Sequence, residues 1–148
     1  MAVASGTKVT PLISSGSVGP LGATHLPRLW TKLTLAAAGL LPEGYDECGP
    51  GFDAMTISNL GLNKDEVITY VRTRKPTYIE FEEWVVQKGK TDAETIKKHN
   101  AAVLGYKHAD DKAAHMHQEL GSKHHQIKDA VTLNNLEDLN ELHHNVTR

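Results

Sequence analysis

The sequence contains a single cysteine, few aromatic residues and no long apolar segment. Cys48 is the one cysteine among 148 residues, so an intrachain disulfide and a cysteine-based zinc site are both excluded. The longest nearly apolar run, residues 33–41, is about half of the roughly 20 residues that a membrane-spanning helix needs. We therefore expect a protein without a membrane segment in a reducing compartment, the cytoplasm.

A large excess of one charge is also lacking. The chain has 16 Lys and Arg against 18 Asp and Glu, which gives a formal net charge of −2. Domains that bind nucleic acid usually present a strongly basic face. The sequence also has no Gly-rich phosphate loop, dinucleotide fingerprint or nucleophile elbow. We accordingly expect neither nucleic acid as a partner nor a bound cofactor.

The patterns that are present indicate helices. Residues 1–22 are rich in Gly, Ser, Thr, Val and Pro, which predicts a flexible N-terminal arm. Pro27 suits the first turn of a helix, and the apolar residues of 26–40 recur at spacings of three and four. A short helix is predicted over 52–60, with Gly61 as its left-handed cap.

Four pairs of a capping residue and a Glu three positions later predict four further helix starts. These pairs are Asn63 with Glu66, Thr77 with Glu80, Thr91 with Glu94, and Asn134 with Glu137. Gly121 closes a weaker helix, and 122–133 is predicted to be a loop or a short strand. The fold class we expect is mainly α, with one compact multi-helix domain over 23–148, irregular loops and a His-rich end at 105–148.

Several short motifs occur in a fixed order along the chain: His25-Leu26-Pro27-Arg28-Leu29-Trp30-Thr31-Lys32, Gly44-Tyr45, Gly61-Leu62, Trp84-Val85 and Asn100. In these motifs the sequence resembles the domain-of-unknown-function 5069 (DUF5069) family over about 21–145. The family usually has a second Arg two residues after the Lys, whereas Leu33 and Thr34 follow Lys32 here. The resemblance implies a small helical domain and implies no particular reaction.

Two cations lie one turn apart on the helix that starts at Pro27. Arg28 and Lys32 share a helical face, where like charges cost about 0.2–0.5 kcal/mol unless an anion lies between them. One hypothesis is that both bind the carboxylate or phosphate of a substrate. The alternative is that they are solvated or pair with carboxylates of the chain, the candidates being Asp46, Glu47, Asp53 and Glu80.

The loop after this helix concentrates ionisable side chains. Tyr45 is a candidate proton donor, and Asp46 or Asp53 is a candidate general base if its carboxylate is desolvated. Loops positioned by a rigid scaffold often carry function. The alternative is a solvated acidic turn with Tyr45 packed on the core.

Other candidate residues lie farther along the chain. Trp84 and Asn100 are predicted to line the substrate pocket, and the alternative for them is simple packing in the core. Cys48 as a nucleophile would need a base such as His25 or His99, and the alternative is an inert thiol.

The nine histidines raise the question of a metal. On a helix, His115 and His117 point about 200° apart and cannot chelate one ion. Asp111, His115 and Glu119 do share a face, which suits either a divalent ion or a surface of ion pairs. No standard ligand signature occurs, so we assign no metal ligand.

The leading functional hypothesis is a small cofactor-independent enzyme or binder. It would act on an anionic or carbonyl-containing metabolite by acid/base chemistry of the lyase, isomerase or cyclase type. The substrate-binding residues would be Arg28 and Lys32. One alternative is a helical interaction or dimerisation module without catalysis, for example in a homodimer, and another is a His-rich metal-binding protein.

Overall fold

The computed structural model describes residues 7–147, and this range forms seven α-helices. They are α1 Leu26–Ala37, α2 Phe52–Asn59, α3 Lys64–Arg74, α4 Tyr78–Lys88, α5 Ala93–Leu104, α6 Asp110–Leu120 and α7 Ala130–Thr147. Within these residues the only β feature is one isolated bridge between Lys107 and Asp129. The expected mainly α fold is confirmed. No helix in the described range has the length and apolarity to cross a bilayer.

Helix α1 lies at the centre of the packing. Leu26, Leu29 and Leu33 are fully buried, and α1 packs against α3 and α4. The remaining helices extend this core through the pairs α2 with α5, α5 with α7, and α6 with α7. Arg28 and Lys32 of α1 are buried as well, so this helix is enclosed on a charged side as well as on its apolar side.

Local signals locate several helix ends correctly. Thr77 forms the predicted capping box, because its hydroxyl accepts from the Glu80 amide while the Glu80 carboxylate accepts from the Thr77 amide. Asn63 likewise caps α3. Gly61 and Gly121 both adopt positive φ, 65° and 76°, immediately beyond α2 and α6.

Two predicted helix starts are wrong. Helix α5 is capped by Asp92, whose carboxylate accepts from the Thr95 amide, and not by Thr91. Helix α7 starts four residues before Asn134, and the carboxylate of Asp129 accepts from the third amide after it, that of Thr132. Asp92 is a stronger cap than the preceding Thr91, whereas α7 has already begun before the chain reaches Asn134. The segment 122–133 is therefore part loop and part helix.

The N-terminal segment lies against the helices. Residues 1–6 of the predicted arm lie outside the described range, but the backbone of residues 7–22 follows the surface of the core. The Leu21 amide donates to the Glu82 carboxylate at 3.0 Å, and the carbonyls of Pro11 and Ile13 accept from Arg28. Side chains of the core thus satisfy the backbone groups of a segment that has no regular structure.

Candidate functional site

A cleft of about 390 Å³ is surrounded by Ser15 of the N-terminal segment, helix α1, the 43–53 region and helices α6 and α7. Its lining includes five of the residues predicted as functional: Arg28, Lys32, Tyr45, Asp46 and Asp53. A volume of this size accommodates a small molecule. The cleft is the candidate functional site.

Arg28 forms one of two buried ionic networks at this cleft. Its guanidinium contacts both oxygens of Asp138 on α7, with N–O distances of 2.6 and 3.1 Å. The Tyr45 hydroxyl donates to the same carboxylate at 2.8 Å. Asp138 neutralises the charge of Arg28, and the carbonyls of Pro11 and Ile13 accept further hydrogen bonds from its guanidinium.

The second network is centred on Asp53. Lys32 Nζ lies 2.5 Å from Asp53 Oδ2, and the Gly49 amide donates to the same oxygen at 2.8 Å. His25 Nε2 lies 2.6 Å from the other oxygen, Oδ1. Asp53 therefore binds three donors that come from different parts of the chain, and like Asp138 it neutralises one cation of α1.

His25 connects Asp53 to a hydroxyl group. Its second ring nitrogen, Nδ1, lies 3.0 Å from Ser15 Oγ, and both side chains line the cleft. Because an ionised Asp53 can only accept, the proton of a neutral imidazole belongs on Nε2. Nδ1 then accepts from the Ser15 hydroxyl, which produces a continuous serine–histidine–aspartate series.

The surroundings shift the pKa values of these groups. Burial raises the pKa of Asp53, but the hydrogen bonds and charges of His25 and Lys32 outweigh it and lower the pKa to about 2. Burial is also the main reason that the pKa of His25 lies below its ordinary value, so the imidazole is neutral at pH 7. Burial and the bond to Asp138 raise the pKa of Tyr45 well above 10. Tyr45 is therefore a weak acid and Asp53 a weak base.

The remaining charges of the cleft are acidic. The carboxylates that line it in addition to the two buried aspartates are Glu43, Asp46, Glu119, Glu137 and Glu141. Because Arg28 and Lys32 are each paired with a buried aspartate, the lining carries an excess of negative charge. Such a field favours neutral or cationic ligands over anionic ones.

Three other candidate residues do not line the cleft. Trp84 stacks on Tyr70, with ring centroids 4.4 Å apart, and Asn100 bonds to the backbone of Gly22 and Thr24. Cys48 is buried, and burial raises its thiol pKa, which makes it unreactive. The structure thus gives Trp84 and Asn100 packing and anchoring contacts.

None of the histidines of the C-terminal third is among the residues that line this cleft. His115 contacts Glu119 at 3.0 Å on the exposed side of α6. His117 is buried and bonds to the Ile127 carbonyl. Within residues 7–147, no group of three or more His, Cys, Asp or Glu side chains has the geometry to hold a metal ion.

Sequence reasoning missed three members of the site. The sequence predicts Ser15 to lie in the arm, suggests a chemical role for His25 only as a partner of Cys48, and gives no signal for Asp138. Ser15 and Asp53 are separated from His25 by 10 and 28 residues, and Asp138 is 110 residues from Arg28. No local spacing rule spans such separations.

Comparison with known proteins adds no relative. No protein-family model matches the chain. No curated protein is detectably similar to it in sequence. The resemblance to the DUF5069 family therefore stays a prediction.

Proposed function

We propose that this chain is a small enzyme that performs acid/base chemistry, without a cofactor, on a small carbonyl-containing metabolite bound in the cleft. The observation that carries the proposal is the buried hydrogen-bond series from Ser15 through His25 to Asp53 beside that cleft. A neutral imidazole that a carboxylate holds in one tautomer is suited to accept a proton. Such a base serves lyase or isomerase chemistry as well as the activation of a hydroxyl.

The contacts favour roles that differ from those suggested by the sequence. His25 is the better general base, because the low pKa of Asp53 leaves that carboxylate with little basicity. Asp53 instead orients His25 and Lys32. Tyr45 already donates its proton to Asp138, so we assign it to holding the loop against α7 and not to protonating substrate.

The charge of the lining refines the class of ligand. An anion would have to displace Asp53 or Asp138 from its buried cation, which leaves a buried carboxylate without a partner. A neutral or cationic carbonyl compound meets no such cost and is attracted by the acidic lining. We therefore retain the carbonyl-containing part of the substrate hypothesis and give less weight to the anionic part.

A thermal-shift screen with matched small molecules tests the proposal. Each pair would consist of an ester or amide and the corresponding carboxylate. We expect stabilisation by members of the neutral or cationic set, about 2.7 kcal/mol at 100 times the dissociation constant. Asn140→Trp fills the cleft from α7 and should abolish the shift.

His144→Trp is the matched control for that variant. His144 is an exposed residue one turn later on the same helix and does not line the cleft, so this variant should bind as the parent does. Preferential binding of the carboxylates would contradict the proposed ligand class. Equal binding by the parent and a folded Asn140→Trp variant would contradict the location of the site.

A further inference from the structure

We infer that Ser15 is the nucleophile of an acyl-transfer reaction, that His25 is its general base, and that the substrate is a small neutral or cationic carboxylic ester. The inference rests on the proposed function, because it specifies the reaction of the same cleft. It requires three things of the structure: a base that can accept the serine proton, a group that orients the base, and access for an acyl group.

The geometry meets the first two requirements. Ser15 Oγ lies 3.0 Å from His25 Nδ1, within the range for transfer of a proton to a base. Asp53 Oδ1 lies 2.6 Å from the other ring nitrogen, where it stabilises the imidazolium that forms. The two ring nitrogens have exchanged the roles they have in the best-known serine hydrolases. Proton transfer depends on an available lone pair at hydrogen-bond distance, which either nitrogen can supply.

Backbone strain at His25 is a second, independent observation. His25 adopts φ 67°, and within residues 7–147 it shares positive φ with only one other non-glycine residue, Lys75. A side chain in this region costs about 1–2 kcal/mol, and such strain is concentrated at functional sites. At His25 the strain directs the imidazole between Ser15 and Asp53, immediately before α1 begins.

Access limits the size of the acyl group. Ser15 lines the cleft but only 1% of its surface is exposed, so a short acyl chain fits the site better than a long one. We therefore place the substrate among acetyl-type esters. Lys32 lines the same cleft, and its Nζ donates only to Asp53 among the described residues, so it retains protons for the negative oxygen that develops during attack.

The reaction proceeds in two balanced stages. Ser15 Oγ bonds to the ester carbonyl carbon while its proton passes to His25 Nδ1, and the bond to the alcohol oxygen then breaks as His25 returns the proton to the alcohol. Water repeats both steps on the acyl-serine, releasing a carboxylic acid and restoring the Ser15 hydroxyl. Water is the only co-reactant, and no group is oxidised or reduced.

Covalent labelling of the full chain tests this inference. Methanesulfonyl fluoride is small enough for the site, and intact-mass measurement followed by peptide mapping locates its adduct. We expect one adduct, on Ser15, and none in Ser15→Ala. His25→Asn should react at least about 100-fold more slowly, because a general base contributes that much. Asn is one of the few non-glycine residues that tolerate the positive φ of this position.

Ser17→Ala is the matched control, since it makes the same change two residues away in a side chain outside the cleft lining, and it should be labelled at the parental rate. A folded parent that stays unmodified at Ser15, or an unchanged labelling rate in His25→Asn, would overturn the inference. Because mapping is performed on the parent, the result stands even if Ser15→Ala does not fold.

The experiments distinguish failure of the Ser15 nucleophile from failure of the proposed acid/base function. If the parent and Ser15→Ala bind and convert an ester equally well, the nucleophile is refuted and the acid/base function remains. If no carbonyl compound stabilises the parent and no adduct forms, both are refuted.

Discussion

Two ionic pairs of this molecule have similar contact distances and opposite surroundings. Arg28 and Asp138 meet at 2.6 Å with side chains that are 8% and 5% exposed. His115 and Glu119 meet at 3.0 Å on α6 with side chains that are 68% and 64% exposed. The first pair joins α1 to α7 and borders the cleft, whereas the second stays within one helical turn. The contact distance by itself therefore does not indicate how much an ion pair contributes to folding stability.

The physical reason for the difference is desolvation. Water and salt screen the exposed pair, so its contribution to folding is small. At the buried pair each charge depends on the other, because neither can be solvated once its partner is lost. The loss of folding free energy when one partner is removed is therefore expected to increase with the burial of the pair.

The largest effect is expected for Arg28→Ala. This change leaves Asp138 buried without a cation and removes the donor to the Pro11 and Ile13 carbonyls. We expect the free energy of unfolding to fall by about 3–5 kcal/mol, as measured by urea denaturation at neutral pH. A loss below about 1 kcal/mol would mean that the pair is solvated in solution.

An intermediate effect is expected on acidification. The pKa of Asp53 is about 2 in the folded state and 3.8 ordinarily, so the unfolded state binds the proton more readily between these values. The contribution of Asp53 to the free energy of unfolding is fully present above the higher value and decreases as the pH falls toward the lower one, by about 2 kcal/mol. Protonation of His25 acts in the same direction, because its pKa is lowered by burial.

Urea denaturation at a series of acidic pH values measures this loss. The Asp53→Asn variant should lack the part of the loss that occurs between pH 3.8 and about 2. Asp46→Asn is the control, since Asp46 is an exposed carboxylate of the same cleft. A pH dependence in Asp53→Asn as steep as that of the parent would assign the acid sensitivity to other groups.

The smallest effect is expected for His115→Ala. Loss of an exposed pair within one helix should change the free energy of unfolding by no more than about 0.5 kcal/mol. The same urea experiment measures it. A change similar to that of Arg28→Ala would remove the distinction drawn between the two pairs.

Much of the helical pattern was predictable because its causes are local. The capping box at Thr77 and the glycine caps at Gly61 and Gly121 depend on residues within one turn, and these predictions are confirmed. The prediction at Thr91 failed for a local reason as well, because the adjacent Asp92 is a stronger cap than a threonine. Helix α7 begins before Asn134 for a tertiary reason, since Ala130 and Leu133 are buried in the core.

The candidate site was predictable only in part. Helical geometry predicts that Arg28 and Lys32 lie one turn apart on the same face of α1. Tyr45 and Asp53 lie in the next part of the chain and also line the cleft. The partners of the two cations were not predictable, because several carboxylates of the chain could pair with each cation. Without known partners, the two cations suggested a bound anion.

The amino-acid sequence by itself specified a mainly helical chain and the positions of two cations on one face of α1, since both depend on interactions between residues a few positions apart. Only the folded chain determined that Asp53 and Asp138 neutralise these cations, and that Ser15 reaches His25. These contacts form because a buried charge or hydroxyl without a partner costs free energy, and the packing of distant segments selects which partners are available.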